Sequence, residues 1–178
     1  MRHISFGEGN YAATESMIRE LLVDADPDVT LPAESDVADE TPEQGSTTPE
    51  TFLGSSKEIN FAGVEAYRSG SGSFSFPIDQ ADDTFALDGD WDIATQFAEP
   101  ADAVTGGSIR LKYHAAEVRM VLAGSGTIIV RGPAGQKQEL VVDGTPRSYS
   151  LVDQDAAGSG LLEIEVPTGV QVYSFTFG

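Results

Sequence analysis

The feature that most constrains this chain is the period-two alternation of apolar and polar residues running from Ile109 to Phe177. Ile109, Leu111 and Tyr113 alternate with Arg110, Lys112 and His114, and Val118, Met120 and Leu122 follow across an Ala-Ala-Glu connection. Successive side chains of a strand point to opposite faces, so this pattern calls for sheets with one face buried and one wet. Further strands are expected over residues 127–131, 138–142, 147–152, 161–166 and 170–177, separated by Gly, Pro, Asp and Ser clusters. Residues 132–136 and Asp143-Gly144 read as hairpin turns, the second with the positive φ angles of a type I′ turn. About eight or nine short strands at roughly 8 to 12 residue spacing, with no strong helical pattern after Thr51, predict a mainly β fold. The expected architecture is an antiparallel two-sheet β-sandwich of jelly-roll type over residues 51–178.

The N-terminal part reads differently. Ile4 to Phe6 form a short β-prone run, and Gly7-Glu8-Gly9-Asn10 supplies a turn and an N-cap for a helix over about residues 11–23. Tyr11, Ile18 and Leu22 share one stripe, widened by Met17 and Leu21, with Glu15, Arg19 and Glu20 on the other side. One strand and one helix cannot bury that stripe alone. Residues 1–25 are therefore expected to be the end of a domain whose body lies elsewhere, or a segment that docks on another surface. Residues 26–50 carry acidic residues and prolines with no Lys or Arg, and are expected to form an extended or partly disordered linker.

Charge narrows the function. The 178 residues hold 29 acidic and 10 basic side chains, a net charge of −19, which repels phosphate backbones and anionic lipid. Nucleic acid is not an expected partner, and no run approaches the roughly 18 apolar residues that would insert this chain into a membrane. Glu8 and Asn10 stand where a signal peptide would be apolar, so the N-terminus itself is not expected to direct export. With no cysteine, the chain has no thiol chemistry and no disulfide of its own.

Local motifs give little chemistry. Gly7-x-Gly9-x-x-Ala12 matches the local form of a dinucleotide fingerprint, but Glu8 would face the phosphates and no further βα unit follows. The Ser-Gly repeats near residues 69–75 lack a Gly-x-Ser-x-Gly elbow. Asp88, Asp90 and Asp92 lie at alternate positions on one face, with Asp79, Asp82 and Asp83 as a second cluster, so structural calcium is the one cofactor considered. The same alternation sends Trp91 toward the core. Arg110, Lys112 and His114 form a positive column, with Arg119 and Arg147 nearby; Glu163 and Glu165 are its expected cross-strand partners. No catalytic residues are assigned.

A set of longer motifs carries a resemblance. Thr48-Pro-Glu-Thr-Phe-Leu-Gly54, Leu87-Asp-Gly-Asp-Trp91, Tyr113-His-Ala115, Pro146-Arg-Ser-Tyr149 and the terminal Gly169 to Gly178 stretch occur in an order similar to the C-terminal part of DipZ-type proteins. His3 to Tyr11 and the Glu15-x-x-Ile18-x-x-Leu21-Leu22 pattern resemble the last strand and helix of that family's thioredoxin-like domain. In such proteins a CcdA-like membrane domain carries an exported thioredoxin-like domain followed by a carbohydrate-binding-module-like β-sandwich. The resemblance implies a non-catalytic, extracytoplasmic accessory module of a membrane-tethered thiol–disulfide oxidoreductase (cytochrome c biogenesis type). Its implied partners are the protein's own thioredoxin-like domain and cell-surface carbohydrate, with purely structural packing on the thioredoxin-like domain as the alternative. Sugar binding needs exposed rings beside hydrogen-bonding groups, which makes Trp91, Tyr67 and Tyr149 the candidate platforms and Arg147 and His114 their polar partners.

Overall fold

In the computed structural model, residues 11–36, 47–57 and 60–178 are described. The chain divides into two compact units, Met1–Pro42 and Glu43–Gly178. The strand expected at residues 4–6 and the turn at residues 7–10 lie outside the described residues.

In the first unit the helix α1 spans Tyr11–Ala25, and none of its residues is buried. Ile18 is 52% exposed, and Tyr11, Leu21, Leu22 and Val23 are exposed beside it. The polar side, rather than the apolar stripe, gains a neighbour. Asp26 ends the helix and starts a turn, in which its carboxylate accepts the Asp28 N–H at 3.1 Å and its carbonyl accepts the Val29 N–H at 3.1 Å. The following segment then returns along Glu15 and Arg19. Arg19 Nη2 donates to the Pro32 carbonyl at 2.6 Å, and the Ser35 N–H donates to Glu15 Oε2 at 3.1 Å. The Ser35 hydroxyl, followed by the Arg19 guanidinium, holds the Glu15 carboxyl below its ordinary value. Residues 29–36, in the first part of the expected linker, have no helix or strand, and Glu15 and Arg19 offer paired charge to their backbone groups.

The second unit is antiparallel β. Its strands are β1 (Thr51–Phe52), β2 (Gly70–Phe74), β3 (Phe85–Ile93), β4 (Ala98–Pro100), β5 (Gly107–Arg131), β6 (Lys137–Val166) and β7 (Val170–Phe177). Hydrogen bonds join all seven into one sheet. The sandwich arises because β3, β5 and β6 are long enough to bend from one layer into the other. One layer runs through residues 85–88, 108–111, 163–165, 129–131 and 137–139. The other runs through residues 70–74, 89–93, 98–100, 170–177, 118–124 and 144–152, with β1 beside β7.

Several boundaries expected from the sequence are bends rather than breaks. The Ala115 to Glu117 connection is an irregularity inside β5. Asp143-Gly144 is not a hairpin turn. Gly144 pairs with Gly124, while Arg147 pairs with Leu122, so β6 carries one extra residue and bulges. Both glycines have positive φ, +96° at Gly124 and +89° at Gly144, the backbone that a sharp bend requires. The hairpin expected at residues 132–136 is present, as a single 3-10 turn at Pro133–Gly135 closed by the Gly132 N–H on the Gln136 carbonyl at 2.9 Å.

A single apolar core lies between the layers, with Leu87, Ile109 and Ile164 from one and Trp91, Met120 and Phe175 from the other fully buried. Removing these side chains from water is the main favourable contribution to the fold. Phe61, Tyr67, Phe74 and Phe85 add a ring cluster with centroids 4.6 to 5.9 Å apart. The unit is tied at its start by Thr48, which is buried. Its N–H donates to the His114 carbonyl at 2.8 Å, its hydroxyl accepts the His114 N–H at 2.7 Å, and the same hydroxyl meets the Asp83 carboxylate.

Candidate ligand-binding cleft

The five residues singled out from the sequence do not form one site. Trp91 is 0% exposed, and its indole N–H donates to the Asp88 carbonyl at 3.0 Å, so its ring belongs to the core and offers no stacking platform. Tyr67 packs in the ring cluster and donates its hydroxyl to the Leu53 carbonyl at 2.7 Å. Arg147 and Tyr149 do come together on β6: the guanidinium lies 5.3 Å from the ring centroid and Nε donates to the phenolic oxygen at 2.7 Å. That contact pushes the Arg147 pKa up. His114 lies in the other layer, with Nδ1 3.0 Å from the Ser159 hydroxyl.

The charged candidates are committed to partners in the same chain. Arg110 pairs with Glu163 at 3.1 Å, Arg131 with Glu165 at 2.7 Å and Lys112 with Asp82 at 3.3 Å. Cross-strand pairing thus accounts for Arg110 in the positive column, whereas Lys112 pairs with a loop carboxylate and Arg119 with Glu117 of its own strand; Arg110 also lies over the Phe76 ring at 4.2 Å. Asp88, Asp90 and Asp92 share the wet face as their spacing predicted. Asp92 accepts the Ser71 hydroxyl, while Asp83 turns to Thr48. Among the described residues no three such groups converge to hold a metal ion.

A different residue has the geometry of a binding group. Tyr113 on β5 alternates inward, as its position in the pattern requires, and is 5% exposed. Its ring crosses the neighbouring strand at Gly160, the residue paired with it, where the missing side chain leaves room. The ring also borders a cleft of about 330 Å³. The cleft floor is apolar, made by Val130, Leu151 and Leu162. Its rim carries the amides Gln136, Gln138 and Gln154, together with Lys137 and Asp153. Gln138 donates from Nε2 to the Ser150 carbonyl at 3.5 Å. Among the described residues the Tyr113 hydroxyl meets no hydrogen-bond partner, and burial alone raises its pKa. The sequence marked Tyr113 as a core position. The only hint of more was a phenol, which carries a polar tip, at an inward site.

Residues 48–178 match the family described as thioredoxin-like C-terminal domain. The chain belongs to that family. Over its whole length it is also 41% identical to the protein DipZ of Mycobacterium bovis and to that of Mycobacterium tuberculosis, in an alignment of 181 residues. The chain spans about a quarter of the length of these relatives, the alignment covering 25% of each. A family two carbohydrate esterase from Cellvibrio japonicus is similar over 74% of this chain and 33% of its own, with a TM-score of 0.41 and 12% identity, a likeness too slight to bear on function. The family boundary at residue 48 coincides with the Thr48 anchor of the β unit. No helix among the described residues of this thioredoxin-like C-terminal domain chain is long and apolar enough to cross a membrane.

Proposed function

We propose that this chain is a non-catalytic accessory β module of an extracytoplasmic, membrane-tethered thiol–disulfide oxidoreductase, and that it acts by binding carbohydrate or a protein partner. The observation that carries the reading is the family match over residues 48–178 in a chain without cysteine. Thiol exchange needs a thiolate, so the redox step belongs to the three quarters of the DipZ relatives that this chain does not cover. Residues 1–25 would complete the thioredoxin-like domain, residues 26–50 would link it, and residues 51–178 would be the accessory module.

The test compares the longer protein with and without residues 48–178. Reduction of a small disulfide such as oxidised glutathione should be unchanged by the deletion, while reduction of disulfides in cell-surface protein substrates should fall. Loss of small-disulfide reduction by a deletion variant that remains folded would place the chemistry inside this domain and overturn the reading.

A second reading is structural packing of residues 51–178 on the thioredoxin-like domain, shaping access to its redox site. Both readings cover the exposed stripe of Tyr11, Ile18, Leu21 and Leu22 on α1 in the longer protein. They separate in a hydrogen-exchange comparison of residues 51–178 in the short and long chains, where only structural packing adds protection to the β unit.

A further inference from the structure

We infer that the cleft bordered by Tyr113 binds one neutral pyranose ring, with the phenol and the three rim glutamines as its hydrogen-bonding groups. The inference rests on the binding half of the function proposed above and supplies its site and ligand class, in place of Trp91, which is buried, and Tyr67, whose ring and hydroxyl are engaged within the fold.

Four observations carry it. The first is the Tyr113 hydroxyl, which makes no hydrogen bond to any described residue although its side chain is 5% exposed, and which is not sealed from water. A ligand hydroxyl arriving in the cleft would give it a partner. Second, Gln136 and Gln154 make no side-chain hydrogen bond to any described residue, and Gln138 makes only the long one to Ser150. Each amide offers two donors and one acceptor oxygen, a set that matches ring hydroxyls, which both donate and accept.

Third, among the described residues the rim has no free cation. Lys137 is paired with Glu139 at 2.7 Å, and the hydrogen bond from Lys137 holds the Glu139 carboxyl below its ordinary value. Asp153 on the rim and a chain charge of −19 oppose anions, so a uronate or phosphate is disfavoured relative to an uncharged sugar. Fourth, Val130, Leu151 and Leu162 give the floor an apolar face for ring C–H groups, and about 330 Å³ is at the small end for ligand pockets. That size suits one ring rather than an extended oligomer or a peptide segment.

The test is a titration of the full chain, isotopically labelled and followed by amide NMR. The probes are methyl glucoside, methyl galactoside, methyl mannoside and N-acetylglucosamine, with glucuronate and a blocked tetra-alanine peptide as the other arms. At least one neutral saccharide should shift the backbone amides of Gln136, Gln138 and Gln154 in a saturable way. Tyr113→Phe should weaken that binding about tenfold, as expected for one lost hydrogen bond to an otherwise unpaired group. Gln154→Ala, on the exposed rim, should weaken it similarly and guards against a folding artefact at Tyr113. Arg147→Ala should leave it unchanged. The inference is overturned if no neutral saccharide moves these amides, if only glucuronate or the peptide does, if the shifts fall around Arg147 or His114, or if both Tyr113→Phe and Gln154→Ala bind as tightly as the parent. None of these results alters the disulfide-reduction comparison, so the accessory reading and the sugar site fail separately.

Discussion

The phenol of Tyr113 lies against Gly160 on the paired strand, so close that a β-carbon on residue 160 would stand 2.4 Å from the phenolic oxygen. Gly160→Ala should therefore displace the ring, with a loss of about 1 to 3 kcal/mol from overpacking. The displaced ring should also block the cleft. Urea unfolding measures the first effect. Loss of saccharide-induced shifts in a variant that still gives a folded spectrum measures the second.

Tyr113→Phe should behave in the opposite way. Removing a hydroxyl that has no partner should leave stability at neutral pH unchanged or slightly raised. Above the ordinary tyrosine value of 10.0 the parent and the variant should diverge. Burial raises the folded pKa of Tyr113, so the unfolded chain loses its proton first and the parent's stability falls as pH rises through that window. Urea midpoints of the two proteins across the alkaline range, converging at neutral pH and separating above it, would show this.

Two glycines that face one another across β5 and β6 should respond unequally to alanine. At Gly124 a β-carbon would come within 2.0 Å of the Gly169 carbonyl oxygen, at a φ of +96°. At Gly144 φ is +89°, but nothing lies within 4 Å of the added atom. Gly144→Ala should cost only the backbone strain, about 1 to 2 kcal/mol. Gly124→Ala adds a clash with backbone and should cost more than about 3 kcal/mol. Equal midpoints in a thermal or urea series would contradict the placement of the β5 bend.

Trp91 is the single tryptophan and fully buried, which makes it a reporter of the core. Its emission should be blue-shifted, resistant to acrylamide and insensitive to saccharide. Trp91→Ala should destabilise by about 3 to 5 kcal/mol. A saccharide-dependent change in its emission at constant stability would return it to the list of binding residues.

Asp102 gives an acid-side prediction. Its carboxylate accepts the Val104 N–H at 2.7 Å and the Thr105 N–H at 3.2 Å, and these bonds hold its pKa below the ordinary aspartate value of 3.8. A carboxyl with a lowered folded pKa contributes stability above its unfolded value, and that contribution is lost as pH falls through the folded one. The loop over residues 102–106 should accordingly lose amide protection, measured relative to the intrinsic exchange rate at each pH, on acidification. In Asp102→Ala that pH dependence should disappear.

The inside and outside of this protein were legible where alternation was regular. Ile109, Leu111, Val118, Met120, Leu122 and Trp91 all point inward as the pattern required. Cross-strand pairing of Arg110 with Glu163 also followed from it. Strand ends were less legible: Ala115 to Glu117 and Asp143-Gly144 look like turns because their composition permits a bend, and a bulge needs the same residue types. Which of the two forms depends on the neighbouring strand, and in both places β5 and β6 continue because they pair with each other.

The candidate cleft shows the same division. By itself the amino-acid sequence determined that this chain is antiparallel β, that its surface is anionic and that it has no thiol chemistry, since each of these follows from local alternation or from composition. It also determined that Tyr113 faces inward. Only the tertiary structure decided that Tyr67 packs in a ring cluster, that Gly160 lies beneath the Tyr113 ring, and that the glutamines at residues 136, 138 and 154 meet at one opening. These residues are distant in sequence. Their meeting depends on where three long strands bend between layers, which is set by the packing of the whole core and not by any local pattern.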